Sequence, residues 1–474
     1  MPIIIPANSA SSGGFEVANS LMLNNPGDTA YLSRSNSSGT STQKGTISVW
    51  VKGGDEPSGN NQTTLASWSN ANNHGALLWN GSNKIDAFDY QSGYASQLQT
   101  NAVLTDVAAW YHIVYSWDTT LGTADDRQKI YINGVEQTYS TRTNYSQNAA
   151  TSWNANSYSV RVGALNSSSY FRGYMAEVVF IDGTQYAASD FGEFEEDSKI
   201  WQPIDVSGLT FGTNGAYLDF EDSANLGNDA NGGTDFSETN LAATDQGTDT
   251  CTNNFIILNP LNAYFTNSTF SDGNTTFASG SSYSGTTAGI LLDTGKWYWE
   301  VKVISKTGDG DNYAIGIQGQ EATGTNQFVG GQLFGYQIYG GNGQIYNNNS
   351  GATYAAAYTA GDIIGVALDL TNNKLYYSKN GDWSNGSGAW SSSTFDAAVG
   401  AKAITAPATV TLGGYYPSQT FWSGSSGTFS MNFGSPYFAI SSGNSDGNGY
   451  GNFEYPVPTG FLSLNTKNLG SDGG

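Results

Sequence analysis

A period of two residues is the feature that most restricts how this chain can fold. GTISVWVK sets Ile47, Val49 and Val51 on one face, and WYHIVYSWD separates Tyr111, Ile113, Tyr115 and Trp117 from Trp110, His112, Val114 and Ser116. Far downstream, GKWYWEVKVIS repeats the pattern with Trp297, Trp299, Val301 and Val303. Clusters of Gly, Asn, Ser and Asp separate such segments, and none sustains a helical period, so the chain reads as antiparallel β-sandwiches. Two hairpins are marked directly. KIYINGVE and KLYYSKNGDW each run into Asn-Gly, whose two residues tolerate the positive φ of a tight I′ turn.

The strands fall into two groups, as expected when 474 residues exceed what one hydrophobic core serves. We place an N-terminal arm at 1–14, a first sandwich at 15–220, a polar Gly-rich linker at 221–254, a second sandwich at 255–465 and a loose tail at 466–474. The 12 Trp, 29 Tyr and 22 Phe separate the chain from disordered sequences, because they supply the buried area that offsets ordering entropy. They exceed what two modest cores need, which predicts homo-oligomerisation, with a trimer as the candidate state.

A formal charge of −23 repels phosphate backbones and argues against nucleic acid as a partner. Cys251 is the only cysteine, so no intrachain disulfide can form, and with no basic neighbour it reads as an inert thiol. No run of 18 apolar residues indicates membrane insertion. MPIIIPANSA has no basic n-region or signal-length apolar run, which predicts a product soluble in the cell that makes it.

Catalytic patterns are sparse, and the expectation is that the chain is not an enzyme. FGEFEED offers Glu193, Glu195, Glu196 and Asp197, but without the alternation that aims two carboxylates into one cleft as nucleophile and acid. It reads as an acidic surface turn. His74 lies in a loop and His112 inside an alternating strand, too few for a triad or a metal cluster. No cofactor motif is present. Calcium is the one ion considered, at Asp125 and Asp126 or at Asp309 and Asp311, where acidic residues are densest. The sharper ligand candidates are aromatics in polar loops: Tyr336, Tyr339 and Tyr346 in QLFGYQIYGGNGQIYNNN, and Trp383 and Trp390 in GDWSNGSGAW. Such residues stack on sugar rings and also favour protein contacts, so loops 331–350 and 380–392 are expected to recognise the ligand.

The first group, with TISVWVK, AWYHIVYSWDTT, KIYINGVE and FRGYMAEVVFIDG in order, resembles the laminin-G or concanavalin-like jelly roll. The second, with GKWYWEVKV, NYAIGI, GDIIGVALDLTNNKLYYSKNG and FSMNFG, resembles a SPRY domain. Together with IIIPANSASSGGFEVANS, FGEFEEDSKIWQPIDVSG and TNNFIILNPL, the pairing resembles a tailed-bacteriophage virion protein. That resemblance implies a non-enzymatic tail fibre or appendage used in host adhesion or particle assembly. A capsid-surface decoration or head fibre and a polysaccharide-degrading tailspike are the alternatives. Its implied partners are other virion proteins and a host surface glycan or receptor, and its implied location is the virion, released by lysis.

Overall fold

The alternation becomes two sandwiches of antiparallel sheets. The computed structural model describes residues 14–23, 29–54, 60–166, 168–196, 198–260, 268–280, 283–308, 312–321, 328–422 and 424–472. The arm, apart from Gly14, lies outside the described residues, as do Asp197, Asp309 and Asp311. The chain divides into two units, the first ending at Asn254 and the second beginning at Phe255.

In the first unit one sheet runs, in spatial order, Val135–Glu136, Gln128–Ile132, Trp110–Asp118, Lys44–Gly53, Gly173–Asp182, Ser20–Leu23 and Gln246–Gly247, with Ala216–Leu218 also on Gly173–Asp182. The facing sheet runs Tyr139–Thr143, Tyr94–Thr100, Ile85–Gln91, Asn73–Trp79, Gln62–Asn70, Ser159–Val162, Tyr31–Ser35 and Ser237–Thr239. Ile47, Val49, Val51, Ile113, Tyr115 and Trp117 meet Leu65, Leu77, Trp79 and Leu98 in the core. These are the faces that the period of two assigns.

The second unit has a larger sheet ordered Ser268–Ser271, Thr276–Ser279, Ser425–Asn432, Lys296–Gly308, Ile363–Asp369, Lys374–Lys379, Asp382–Ser384 and Trp390–Ser392, with Lys402–Ala403 also on Lys374–Lys379. The smaller sheet is ordered Ser284–Thr287, Tyr416–Phe421, Tyr313–Gln318, Gly335–Tyr339, Ile345–Asn347 and Ser350–Ala352. Trp297, Trp299, Val301 and Val303 are fully buried between them. Both Asn-Gly turns form as expected, Asn133 and Gly134 at φ 46° and 78°, Asn380 and Gly381 at 51° and 87°.

Two expectations about the chain's organisation are corrected. Segment 221–254 is not a linker: Ser237–Thr239 pairs with Tyr31–Ser35, Gln246–Gly247 pairs with Ser20–Leu23, and Leu226 and Phe236 enter the first core. Arg34 fixes it by an ion pair to Asp229 at 3.1 Å and a hydrogen bond to the Thr234 carbonyl, with its guanidinium over the Phe236 ring, and also binds the Asn214 and Gly215 carbonyls just before it. The tail is not loose either. Thr466–Asp472 forms a short helix whose Asn468, fully buried, donates to Asp446 and to the Ser463 carbonyl.

The aromatic surplus behind the trimer also has an internal use, because outer faces of the sheets are covered as well. His112 lies between Trp50 and Trp201 behind the first core. Tyr298, Tyr376, Trp383, Phe453 and Phe461 form a separate cluster on the outside of the larger sheet. The extra rings fill these second layers, so their number no longer calls for a subunit interface.

Candidate functional site

The strand Lys374–Lys379 alternates Leu375 and Tyr377 into the second core with Tyr376 on the outer face. The Asn380-Gly381 turn then folds Asp382–Ser384 back beside it, pairing Ser378 with Trp383 and Lys379 with Asp382. This register puts Trp383 on the same outer face as Tyr376, where it packs at 6.4 Å from Tyr298 and 4.9 Å from Phe395. Phe395 comes from SSSTFDAAVG, a polar stretch in which it is the one aromatic ring.

Between these elements lies a cavity of about 130 Å³. Tyr376, Trp383 and Phe395 form its apolar walls, while Ser391, Ser392, Thr394 and Asp396 line it with polar groups. Val399, 45% exposed, stands at its edge. Asp396 is exposed and accepts the Ala398 amide at 2.8 Å. Burial pushes the Tyr376 hydroxyl up to about 12, so it stays a neutral donor, bonded to the Ala397 carbonyl. The arrangement can hold one side chain by apolar contact and hydrogen bonds.

The sequence-predicted residues do not form one surface. Tyr336 is a core residue, 5% exposed, with its hydroxyl 2.9 Å from Thr405 Oγ1. Its alternation with Gln337 points it inward, which corrects its assignment to a recognition loop. Tyr339 and Tyr346 occupy the outside of the smaller sheet, ring centroids 5.7 Å apart, in a cluster with Phe328 and Trp422. Tyr339 also donates to Asn312 Oδ1. Trp390 is half-buried and donates to the Ala356 carbonyl at 3.0 Å. Trp383 therefore faces away from Tyr339 across the sandwich, and of the five residues only Trp383 lines the cavity.

The other expected sites are structural in their surroundings. His112 is buried; Trp201 Nε1 donates to its Nδ1 at 2.9 Å, so Nε2 carries the proton and meets Ser48 Oγ at 2.7 Å. Burial pushes this imidazole down to about 3. Glu193 and Glu196 are exposed on a small hairpin of Gly192–Phe194 with Trp201–Pro203, and Glu195 accepts the Ser198 amide. Asp125 is paired with Arg142 and Asp126 with Lys129. Among the described residues no three His, Cys, Asp or Glu side chains converge as a metal site would need. Cys251 is buried, and burial holds its thiol well above the ordinary range.

Comparison with known proteins gives two domain matches: the SPRY domain over residues 296–412 and the concanavalin A-like lectin/glucanases superfamily over residues 26–188. The chain thus carries a concanavalin-like domain followed by a SPRY domain, both β-sandwiches. Among curated proteins it is similar to Ran-binding protein 9 of Danio rerio, 36% identical over 88 residues, which is 18% of this chain and 14% of that protein. It is similar also to Ran-binding protein 9 of Homo sapiens, 35% identical over 88 residues, 18% of this chain and 12% of that one. A Drosophila melanogaster Ran-binding proteins 9/10 homolog is 34% identical over 93 residues, 19% of this chain and 10% of that protein. The chain therefore spans only a small part of these relatives. Among solved structures, the SPRY domain of human HERC1 is 16% identical with a TM-score of 0.28, covering 37% of this chain and 96% of that one. A putative carbohydrate binding protein from Bacteroides ovatus is 14% identical with a TM-score of 0.35, covering 48% and 59%.

These relatives correct the setting expected from sequence. They are Ran-binding proteins of animals, not virion components. The bacteriophage assignment falls with them in each of its forms, tail fibre, head fibre or capsid decoration, and tailspike. So do its virion partners, its host glycan or receptor, its trimeric appendage and its virion location. The motifs behind that likeness are strands and turns, which constrain a fold and leave its setting open.

Proposed function

We propose that the second unit is a protein-binding module without catalytic activity, and that the cavity beside Trp383 and Phe395 receives a side chain of the partner. The cavity carries the reading. Its 130 Å³ is well below the ~300 Å³ at which small-molecule sites begin, and it suits a single anchoring side chain. Rigid aromatic walls supply contact at low entropic cost, and the Ser391, Ser392 and Thr394 hydroxyls supply adaptable hydrogen bonds. Asp396 at the rim favours an anchor that ends in a donor or a positive charge. The cavity lies inside the SPRY match, and the similar proteins are named for binding Ran, which makes Ran the first partner to test.

The test is calorimetric titration of the full chain with purified Ran and with a library of short synthetic peptides, repeated for Ser392→Trp, which fills the cavity mouth from an exposed position. Binding of Ran or of a peptide family that weakens by about tenfold or more in Ser392→Trp, with thermal unfolding unchanged, is the expected result. Ligands that bind the filled variant as well as the parent would reject this cavity as the site.

A further inference from the structure

On the first unit, the sheet containing Gln62–Asn70, Asn73–Trp79, Ile85–Gln91 and Tyr94–Thr100 has a second face that the core does not use. Leu65, Leu77, Ala87 and Leu98 point into the core. The intervening positions put Trp68, His74 and Tyr90 outward, and a register shift at Ala95 brings Tyr94 to the same side, so that four rings align in one row: Trp68 opposite His74, His74 opposite Tyr90, Tyr90 opposite Tyr94. Successive ring centroids are 5.0, 5.5 and 5.4 Å apart. Phe88 stands edge-on beside the row, 5.7 Å from both His74 and Tyr94.

The row has relief. His74 is 9% exposed, whereas Trp68 and Tyr90 on either side are half-buried and Tyr94 is 54% exposed. His74 is thus the floor of a slot walled by Trp68 and Tyr90, with Tyr94 standing beyond it. The Tyr90 and Tyr94 hydroxyls and Trp68 Nε1 are donors outside the hydrogen-bond network of the described residues.

Charge close to the row is sparse, with Arg161 of the adjoining strand Ser159–Val162 on the same side, opposite Ala66, while the unit as a whole is acidic. The four strands contain no Lys or Arg, and their outward positions include Asp86. Residues up to Asn254 hold 27 acidic and 10 basic side chains, a balance of −17 out of the chain's −23. Desolvation lowers the His74 pKa, so the slot floor adds no positive charge at neutral pH.

We propose that this aromatic row is a docking site for an extended, proline-rich segment of a partner that carries Arg or Lys. Three features select this occupant. A polyproline II helix repeats every three residues over roughly 9 Å, which matches the roughly 10 Å between alternate strands of a sheet and hence between Trp68 and Tyr90. Its backbone has no internal hydrogen bonds, so its carbonyls are available to the tyrosine and tryptophan donors. Arg or Lys between the prolines meets ring faces, the geometry of cation–π attraction, on a unit whose net charge of −17 attracts it. A nucleic-acid strand would also stack on such rings but is repelled by the same charge.

The experiment titrates the full chain with a synthetic peptide of Pro-Pro-Arg repeats, its Pro-Pro-Glu counterpart, a proline-free Arg peptide and a linear gluco-oligosaccharide, following calorimetry and the Trp68 Nε1–H resonance. Expected is binding of the Pro-Pro-Arg peptide alone, weakened about tenfold by Tyr94→Ala and further by Trp68→Ala, and weakened by added salt. Tyr94 is exposed, so its variant keeps the fold, and Ser392→Trp on the other unit should leave this binding intact. Failure to bind the Pro-Pro-Arg peptide, equal binding of the Glu counterpart, binding of the sugar instead, or binding indifferent to both ring removals would each overturn the proposal.

Discussion

Tyr217 donates a 2.6 Å hydrogen bond to Glu177 Oε2, and Glu177 receives it from a backbone held at φ +50° within a β-strand. The register of Gly173–Asp182 against Lys44–Gly53 slips between Ala176 and Val179, which marks a bulge. Alternation from Met175, a core residue, would aim Glu177 at the core; the bulge gives that place to Val178 and leaves the carboxyl on the outer face beside Tyr217. Burial then pushes the Glu177 carboxyl up to about 8, with Asp219, Glu221 and Asp205 adding repulsion and the Tyr217 bond opposing.

The folded state therefore holds a proton that the unfolded chain releases near pH 4.5, so stability is fully present below that value and is lost as pH rises through about 8. Glu177→Gln keeps an acceptor for Tyr217 and removes the ionisation. Chemical denaturation of the two proteins at about pH 6 and about pH 9 should show the parent losing on the order of a few kcal/mol across the interval and the variant losing much less. Parallel profiles would mean that Glu177 is ionised in the folded protein.

His112 predicts the opposite slope on the acid side. Its pKa is pushed down to about 3 by burial, against 6.5 as the ordinary value, so the unfolded chain takes up the proton first. Its contribution is present above pH 6.5 and is lost as pH falls toward 3. Nitrogen-15 NMR at about pH 5 should find a neutral ring protonated on Nε2, since Nδ1 accepts from Trp201. An imidazolium signature at that pH would contradict the burial seen here.

Arg34 tests whether residues 213–236 are part of the first sandwich. Its guanidinium binds Asp229, which is 3% exposed, and three carbonyls of that segment. Arg34→Met leaves the Asp229 carboxylate buried without its cation, at a cost of roughly 3 kcal/mol. Limited proteolysis of the variant should cut first within 221–236, and calorimetry should show the first unit melting earlier. Resistance equal to the parent would mean that the strand pairing of Ser237–Thr239 holds the segment without Arg34.

Much of this fold is readable wherever the pattern is local. Trp297 and Trp299 alternate into the core as their spacing requires, and Asn380-Gly381 makes the turn its chemistry permits. What escapes is nonlocal. Leu226 and Phe236 are isolated apolar residues in a polar stretch, and the Arg34 that pins them lies about two hundred residues earlier. Tyr336 and Tyr339 look alike in sequence, yet strand phase sends one to the core and the other outward. The row of Trp68, His74, Tyr90 and Tyr94 comes from four strands and exists only once their register is set. The cavity beside Trp383 needs Phe395, whose sole signal is being the one ring in a Ser/Thr-rich loop.

Glu300 looks like Glu177, buried and pushed up, here to about 7, but its neighbours reverse the expected effect of substitution. It lies on the outer face of the larger sheet and accepts four hydrogen bonds: from the amides of Glu454 at 3.0 Å and Tyr455 at 2.9 Å, from Asn432 Nδ2 at 3.1 Å and from the Tyr298 hydroxyl at 3.1 Å. All four partners donate, so both oxygens are committed as acceptors. The amide nitrogen of Glu300→Gln would take the place of one oxygen and set its hydrogens against that oxygen's two donors, one of them a backbone amide that cannot turn away. Loss of about 2–4 kcal/mol should follow, together with faster hydrogen exchange at Glu454 and Tyr455, whose amides the carboxylate holds. The same Glu-to-Gln change is thus expected, above neutral pH, to stabilise the first unit at Glu177 and to destabilise the second at Glu300, where the ionised carboxylate accepts all four bonds. If Glu300→Gln were neutral, the 452–461 segment over Tyr298 and Trp383 would have to be held by Phe453 and Phe461 packing alone, and Phe453→Ala would then be the change that exposes those amides.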